Sequence, residues 1–377
     1  MSIRCKATIL RRTGAPAPYA QSMPLSIEDV TLDPPGPTEA LVKIASAGLC
    51  HSDLSVINGT RGKPVPLAMG HEGAGEVVEV GSAIRDIRVG DPVVFQFSAS
   101  CGRCRRCMEG RPQICQVSKV TGAKGELMGG GTRIRDADGN PVSHHSGVSC
   151  FAEYAVLDRG SLVVVDRDVS LESAAVFGCA VMTGVGAVMN TARIRPGDKV
   201  AIIGLGGVGL SGVMGARLAG AEQIIAIDLD ERKFPRAMEM GATHTFRGDD
   251  PELKAKIMDL TGGGVDFAVD LAGAVAAMEI GYAITIRGGA LVTAGLSPAG
   301  ATFSFEQADL VSQEKSILGS YMGSCVPVRD IPRFIELHRQ GRLPVDRLID
   351  RTIGFDQMND GFDRLASGEM IRQMLVP

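Results

Sequence analysis

Lys199-Val200-Ala201-Ile202-Ile203-Gly204-Leu205-Gly206-Gly207-Val208-Gly209 is the stretch on which the fold turns. A short apolar strand pattern runs into a glycine turn, and the apolar residues that follow continue with helical texture as far as Gly220. Gln223-Ile224-Ile225-Ala226-Ile227-Asp228 then reads as a second strand, which makes the segment a strand-helix-strand unit. Gly204, Gly206 and Gly209 stand in the order G-x-G-x-x-G, and Asp228 ends the second strand nineteen residues later. Glycines at these places allow a tight turn and close approach of a pyrophosphate, the helix start offers oriented N–H donors, and the Asp228 carboxylate can take both hydroxyls of a ribose. Because Asp228 also repels a 2′-phosphate, the expected ligand is NAD rather than NADP. The bland alternative is a glycine-rich strand-to-helix turn that binds nothing.

Further strands of the same kind are predicted at Val265–Asp270 and Gly289–Gly295, with helical segments between, so a parallel sheet is expected over residues 181–319. Upstream the texture differs. From Ala40 to Gly48 and from Gly73 to Phe97, short Val- and Ile-rich runs are punctuated by Gly81, Gly90, Asp91 and Pro92, the pattern of a compact β-rich domain. The tail from residue 320 holds one clear helix and an apolar end, and it is expected to rejoin the first domain. A chain of 377 residues has room for two cores. The division read from sequence is therefore 1–180 with 320–377, and 181–319: an α/β protein in which a doubly wound parallel sheet interrupts a β-rich domain.

Composition removes several classes of partner. With 39 Lys+Arg against 43 Asp+Glu the formal net charge is −4, and no basic run is present, so neither nucleic acid nor an anionic membrane surface is expected as a partner. The start meets Lys6, Arg11 and Arg12 too early for the apolar core of a secretory signal, which points to a cytoplasmic location. The uncharged stretch from Ser173 to Ala192 approaches the length of a membrane span. Gly178, Thr183, Gly184, Gly186 and Asn190 within it argue for buried protein interior instead.

Nine cysteines, an odd count, speak against a disulfide framework. Four of them form Cys101-x2-Cys104-x2-Cys107-x7-Cys115 in a polar loop. Such spacing lets four sulfurs meet one ion at ~2.3 Å in a closed tetrahedron, the pattern of structural zinc. Arg103, Arg105 and Arg106 help offset the charge of four thiolates. An iron–sulfur cluster is the competing reading. A second constellation comprises Cys50-His51-Ser52-Asp53, Gly70-His71-Glu72-Gly73 and Cys179. Two thiolates and one imidazole would hold zinc with a fourth position open to water or substrate, where it can polarise an oxygen. Singly, these residues read as buried thiols and an ordinary histidine.

Taken together, the G-H-E-x-x-G stretch at Gly70–Gly75, the four-cysteine lobe at about 98–116 and the glycine fingerprint following Cys179 resemble the zinc-dependent medium-chain alcohol dehydrogenases over nearly the whole chain. The resemblance implies a GroES-like catalytic domain joined to a Rossmann domain, with the active site in the cleft between them. It implies two zinc ions per chain: a catalytic one on Cys50, His71 and Cys179, and a structural one on Cys101, Cys104, Cys107 and Cys115. Asp53 then resembles the carboxylate that orients the ligand histidine, Glu72 the acidic residue behind the metal, and Ser52 the hydroxyl that hands on the substrate's proton. For the cofactor it implies Gly204, Gly206, Gly207 and Gly209 at the pyrophosphate, Asp228 and Lys233 at the adenosine ribose, and His51 and Arg372 as pyrophosphate-side cations. Thr183, Val208, Ala294, Gly295 and Leu296 fall where the nicotinamide end is held, and Phe97 and Leu296 are expected to line an apolar substrate channel.

This chain departs from the pattern at two places. Ser55 stands where many relatives carry the histidine that ends the proton relay, and His51 replaces an arginine found in several. The long loop between Cys115 and Phe151 resembles the dimeric animal-type branch, so a homodimer is expected. His144 and His145 within that loop read as surface residues. The implied activity is NAD-dependent oxidation of a primary or secondary alcohol, or the reverse reduction. The long loop also fits an S-(hydroxymethyl)glutathione (formaldehyde) dehydrogenase, although Thr60-Arg61-Gly62-Lys63 is basic where that branch tends to be acidic. A non-catalytic NAD-sensing zinc protein is the alternative of another class.

Overall fold

The computed structural model describes residues 2–377. By internal packing they divide into two units. One comprises the chain up to Cys179 with Val326–Ile335 and Asp346–Pro377, and the other Ala180–Cys325 with Glu336–Val345.

In the second unit six strands lie parallel, in the order His244–Arg247, Gln223–Asp228, Lys199–Ile203, Val265–Asp270, Thr285–Thr293, Ser316–Gly319. Numbered along the chain this is 3-2-1-4-5-6, the doubly wound arrangement, whose switch point falls beside the first strand. Helices cover both faces of Lys199–Ile203, Gly212 of Gly207–Ala219 lying against Ile202 and Gly281 of Val275–Ile284 against Ile203, which is why its residues are apolar throughout rather than alternating: Val200, Ala201, Ile202 and Ile203 are buried. The helix Gly207–Ala219 starts at once after the turn and stops at Gly220, which takes the left-handed conformation that a glycine adopts without cost. The uncharged stretch is interior as expected, with every residue from Ala174 to Val188 buried, and no single helix among the described residues is long and apolar enough to cross a membrane.

The division differs from the one read from sequence at the tail. Residues 320–325 belong with the parallel-sheet unit, because Gly323 and Cys325 pack on the helix Ala180–Gly186 so closely that a Cβ on Gly186 would collide with Cys325 Sγ and the Gly323 carbonyl. Asn190 also donates to that carbonyl at 3.2 Å. A glycine-broken segment gives no periodic signal of such packing.

The first unit is β-rich. Ile3–Leu10, Leu25–Leu32, Ile134–Arg135, Pro141–His144 and Leu67–Ala68 close into a small barrel. A second sheet runs Leu162–Val164, Pro92–Phe95, Gly73–Val80, Glu39–Gly48, Gln373–Leu375, Arg351–Ile353, with Tyr154–Asp158 also paired to Glu39–Gly48. Its apolar faces bury Val42, Ile44, Val77, Val93, Phe95, Leu157 and Leu375 in one core. The tail does rejoin this unit: Met374 lies opposite Gly48 and Leu375 opposite Ala47. That pairing delivers Arg372 to the segment that carries Cys50.

Candidate active site and metal centres

Cys50 ends the extended segment after Glu39–Gly48 and caps the helix His51–Ile57. The cap is reciprocal, since the Cys50 amide donates to Asp53 Oδ2 at 3.2 Å while the Cys50 side chain accepts from the first turn. The other Asp53 oxygen accepts from His71 Nδ1 at 2.9 Å, which leaves His71 Nε2 3.5 Å from Cys179 Sγ. The donor atoms of Cys50, His71 and Cys179 all lie within 4.8 Å of one another, and all three residues are buried. Two ligands at ~2.3 Å and ~2.05 Å from one tetrahedral ion stand about 3.6 Å apart, so the Cys179–His71 separation suits zinc held by sulfur and nitrogen. The fold thus brings the three expected ligands to one point with a fourth direction unassigned.

Charge around this point is arranged for a cation. The Cys50 thiol is held well below its ordinary value by a hydrogen bond from Cys179, with the Arg372 charge helping, while Cys179 as donor is pushed up. Burial works against ionisation of Asp53, yet His71 and His145 hold its carboxyl below the usual range. Glu72, fully buried, has its carboxyl raised to about 7 by burial, opposed by Arg372. Gly48 makes the room for it, since a Cβ there would collide with Glu72 Oε1. Arg372 Nε lies 3.5 Å from that oxygen, and Nη1 donates to the Leu49 carbonyl at 2.7 Å. Expected among the pyrophosphate-side cations, Arg372 is here only 3% exposed, with its charge set against Glu72 and the ligand thiols. His51 is exposed in the first turn of the helix and Ser52 half-buried beside it. Phe97 stands edge-on to His71, with ring centroids 5.4 Å apart.

The second metal set is local. Cys101 Sγ and Cys107 Sγ are 4.0 Å apart, Cys104 and Cys107 3.6 Å, Cys104 and Cys115 3.9 Å. Four sulfurs on one tetrahedral ion at ~2.3 Å have edges of about 3.8 Å, so these thiols fit a single zinc ion, whereas a cluster of several irons spreads its cysteines further apart. Backbone N–H groups of Cys104 and Cys101 point at Cys101 Sγ (3.2 Å) and Cys115 Sγ (3.5 Å), as thiolate ligands require. All nine cysteines are free of disulfides.

In the other unit the glycine turn is built as its sequence implied. Gly204 has φ +90, and a Cβ on Gly209 would collide with the Gly204 carbonyl, so neither tolerates a side chain. Gly206 is different. Its Cβ direction is open, so packing does not demand a glycine there, whereas a phosphate approaching the helix start does. Asp228 Oδ2 accepts from Leu205 N at 2.6 Å, Oδ1 from Asp230 N at 2.9 Å, and Lys233 Nζ sits 3.1 Å and 3.2 Å from the two oxygens. Asp228 therefore ties the glycine turn to the end of the second strand, and the Lys233 charge is set against it. Thr183 lies on the helix that packs against the Val208 carbonyl. The Ala294 and Gly295 amides donate to the Asp270 carbonyl at 3.0 Å and 3.3 Å, which places Ala294-Gly295-Leu296 beyond the end of the central strands.

Two histidines are misplaced by the sequence reading. His144 and His145 are not at the surface but buried, at 0% and 3% exposure. His144 Nε2 accepts from the Arg133 amide at 3.2 Å, and burial lowers its pKa to about 3, so it is a neutral acceptor. His145 Nδ1 lies 3.1 Å from Asp53 Oδ1. The polar run Ser143-His144-His145-Ser146-Gly147 carries no periodic signal that could have revealed this.

Comparison with known proteins agrees with this geometry. Residues 36–167 match the model of the alcohol dehydrogenase GroES-like domain, and 207–340 that of the zinc-binding dehydrogenase domain. The chain is 34% identical to the S-(hydroxymethyl)glutathione dehydrogenase of Paracoccus denitrificans over 97% of its own length and 100% of that protein. It is similar to the solved benzyl alcohol dehydrogenase of Acinetobacter calcoaceticus, with 30% identity, a TM-score of 0.90 and 99% of each chain covered. A protein of Sinorhizobium meliloti 1021 described as a zinc-binding dehydrogenase, solved with NADP, aligns over 100% of both chains at 28% identity and a TM-score of 0.81. With both domain models matched in order, and the donor sets that such enzymes need assembled in the structure, the chain belongs to the zinc-dependent medium-chain alcohol dehydrogenase family.

Proposed function

We propose that the chain is an NAD-dependent alcohol dehydrogenase that binds two zinc ions and transfers hydride between a primary or secondary alcohol and the nicotinamide. The observation that carries the reading is the open donor set Cys50, His71, Cys179, with His71 Nδ1 bonded to Asp53 and Nε2 turned toward Cys179. A zinc ion held there supplies Lewis acidity toward an alcohol or carbonyl oxygen, and the nicotinamide supplies the hydride acceptor. The protein's share is placement and proton handling. Cys50 and Cys179 provide thiolates, Asp53 fixes the tautomer of His71, and Glu72 with Arg372 adjusts the charge behind them. Ser52 Oγ takes the proton that the alcohol loses, with His51 in the same helical turn. The glycine turn and helix start hold the pyrophosphate, Asp228 and Lys233 the adenosine ribose, and Thr183, Val208 and Ala294-Gly295-Leu296 the nicotinamide end.

Asp228 favours NAD over NADP in this reading. A benzyl-type or medium-length apolar alcohol suits the aromatic wall at Phe97, as the benzyl alcohol dehydrogenase relative also suggests. The S-(hydroxymethyl)glutathione reading is supported by the 34% identical relative and opposed by Arg61 and Lys63. We further propose a cytoplasmic homodimer, a compartment in which ligand thiols stay reduced. The test is NADH formation with a panel of alcohols, and with formaldehyde with and without glutathione, alongside metal analysis and solution mass. Turnover of simple alcohols with NAD and about two zinc per chain is expected. No turnover of any alcohol by protein that holds both ions refutes the reading, and a strict requirement for glutathione selects the other one.

A further inference from the structure

His145 has no part in the roles assigned above, yet it reaches the metal centre. It follows the short strand Pro141–His144, is buried, and sets Nδ1 3.1 Å from Asp53 Oδ1, the same oxygen that accepts from His71 Nδ1 at 2.9 Å. Its ring stands edge-on to His71, centroids 5.4 Å apart. At this distance the contact still falls outside hydrogen-bond geometry, so among the described residues the buried Nδ1 has no hydrogen-bond partner and Asp53 Oδ1 is the acceptor within reach of a small rotation about the ring torsion. Since the Cys50 amide holds the second Asp53 oxygen, the carboxylate stands among three donors, two of them imidazoles.

The backbone that presents His145 is built with care. Its amide donates to the Ala68 carbonyl (3.2 Å) and Ser149 Oγ (3.0 Å), its carbonyl accepts from Val148 at 3.0 Å, and Ser149 Oγ donates on to Ala68 at 2.9 Å. Ser146, Gly147 and Ser149 all take left-handed backbone, with φ 56, 69 and 54, a conformation that serine adopts only where its surroundings impose it. An apolar side chain would fill the same space without leaving a polar nitrogen in the interior, so packing alone does not explain an imidazole here.

We propose that His145 is a positioning residue of the catalytic metal centre: by donating to Asp53 it locks the carboxylate that aims His71 Nε2, and so sets how firmly the open site holds its ion. The inference rests on the proposed metal-dependent function and extends it to a loop outside the ligand motifs. Partners of this outer kind typically change metal affinity by roughly 10–100-fold. Substitution of His145 should therefore act on one metal site and leave the other alone.

The experiment uses the full-length protein loaded with zinc, and separately with cobalt(II). Chelator-driven metal loss is followed as two phases, the four-thiolate site serving as internal reference, and the cobalt absorption bands report ligand geometry. H145F should loosen the catalytic ion by about 10–100-fold, shift the cobalt bands and lower kcat with the KM for NAD unchanged. H145N, whose amide can stand where Nδ1 stood, should restore most of the loss. H145Q, which keeps the volume but reaches toward the other ring nitrogen, should behave like H145F and carries the test if H145F does not fold. Wild-type bands and metal-loss rates in both H145F and H145Q overturn the role of His145. Wild-type protein that holds only the four-thiolate ion overturns the metal-centre reading instead.

Discussion

Replacing Lys233 by Met should make the protein discriminate harder against NADP, and replacing Asp228 by Asn should remove most of the discrimination. Lys233 Nζ stands 3.1 Å and 3.2 Å from the two Asp228 oxygens, with its side chain only 19% exposed, so on the proposed function the ribose would meet a pair with no net charge. Without Lys233 a full negative charge meets the 2′-phosphate of NADP. Two unit charges ~4 Å apart interact by about 1 kcal/mol in water and ~4 kcal/mol at the effective dielectric near a protein surface. A phosphate monoester carries close to two charges, so K233M should lower the NADP/NAD ratio of kcat/KM by roughly 2 kcal/mol or more, about 30-fold. Asp228→Asn removes the charge but keeps one oxygen for the Leu205 or Asp230 amide. NAD then loses a charge-assisted ribose bond worth about 1.5–3 kcal/mol, so its affinity should fall by roughly 10–100-fold while that for NADP does not. The chain has no tryptophan, so binding is best read from NADH and NADPH fluorescence directly. A K233M ratio that stays put or moves toward NADP refutes the electrostatic account. An unchanged NADH affinity in D228N takes Asp228 out of the cofactor site.

Three further outcomes follow from the geometry. Cys104→Ser should release one zinc ion and lower the melting temperature, because only the four-thiolate lobe is held together by its metal, whereas Cys50→Ser should abolish turnover with the melting temperature little changed; metal analysis beside calorimetry separates the two. Gly209→Ala drives a Cβ into the Gly204 carbonyl, so NADH binding should be lost while the zinc content of the other unit stays intact, measured by fluorescence titration and metal analysis. Burial raises the Asp158 carboxyl from 3.8 to about 6, so its contribution is most favourable below pH ~4 and is lost as pH rises through about 6; Asp158→Asn, which mimics the protonated form and still accepts from Met128, should gain stability over wild type by about 1.5 kcal/mol at pH 5, rising to roughly 2–3 kcal/mol at pH 6–7.5, in paired melting curves.

What the sequence made legible was what is local. The strand, glycine turn, helix and Asp228 lie within thirty residues of one another, and each carries a backbone requirement that few residue types meet. The four-cysteine lobe is legible for the same reason. Cys50, His71 and Cys179 are far apart in the chain and were joined only through the resemblance of their flanking motifs, which the structure then brought to one point. The burial of His145 was hidden because its neighbours Ser146, Gly147 and Ser149 look like an exposed turn, and only the barrel strand beside them turns that run inward. The resemblance sets Arg372 on the pyrophosphate side. Its pairing with Glu72 depends on the register of Gln373–Leu375 against Gly48, which no local pattern encodes.

Ser55 carries the last expectation. Its hydroxyl donates to the His51 carbonyl at 2.8 Å within the helix His51–Ile57, so it is spent on the backbone and has no basic site near neutrality. Many relatives of the resembled type carry a histidine here, whose imidazole takes the relayed proton where it titrates, near pH ~6.5. On the proposed function, the proton leaving Ser52 in this chain must depart through water, buffer or His51. Alcohol oxidation should therefore climb toward alkaline pH, and small amine buffers should raise it near neutrality. Ser55→His should lift the rate at about pH 7, remove most of the buffer effect and leave the alkaline rate unchanged, since a base is needed only where hydroxide is scarce. Zinc content and NADH affinity should change little, because residue 55 is neither one of the zinc ligands nor one of the residues assigned to the cofactor. The measurement is single-turnover hydride transfer across pH in both proteins, with and without the amine. Superimposable profiles would show that the proton leaves by a path on which residue 55 has no bearing, with His51, one turn earlier on the same helix, the next residue to replace.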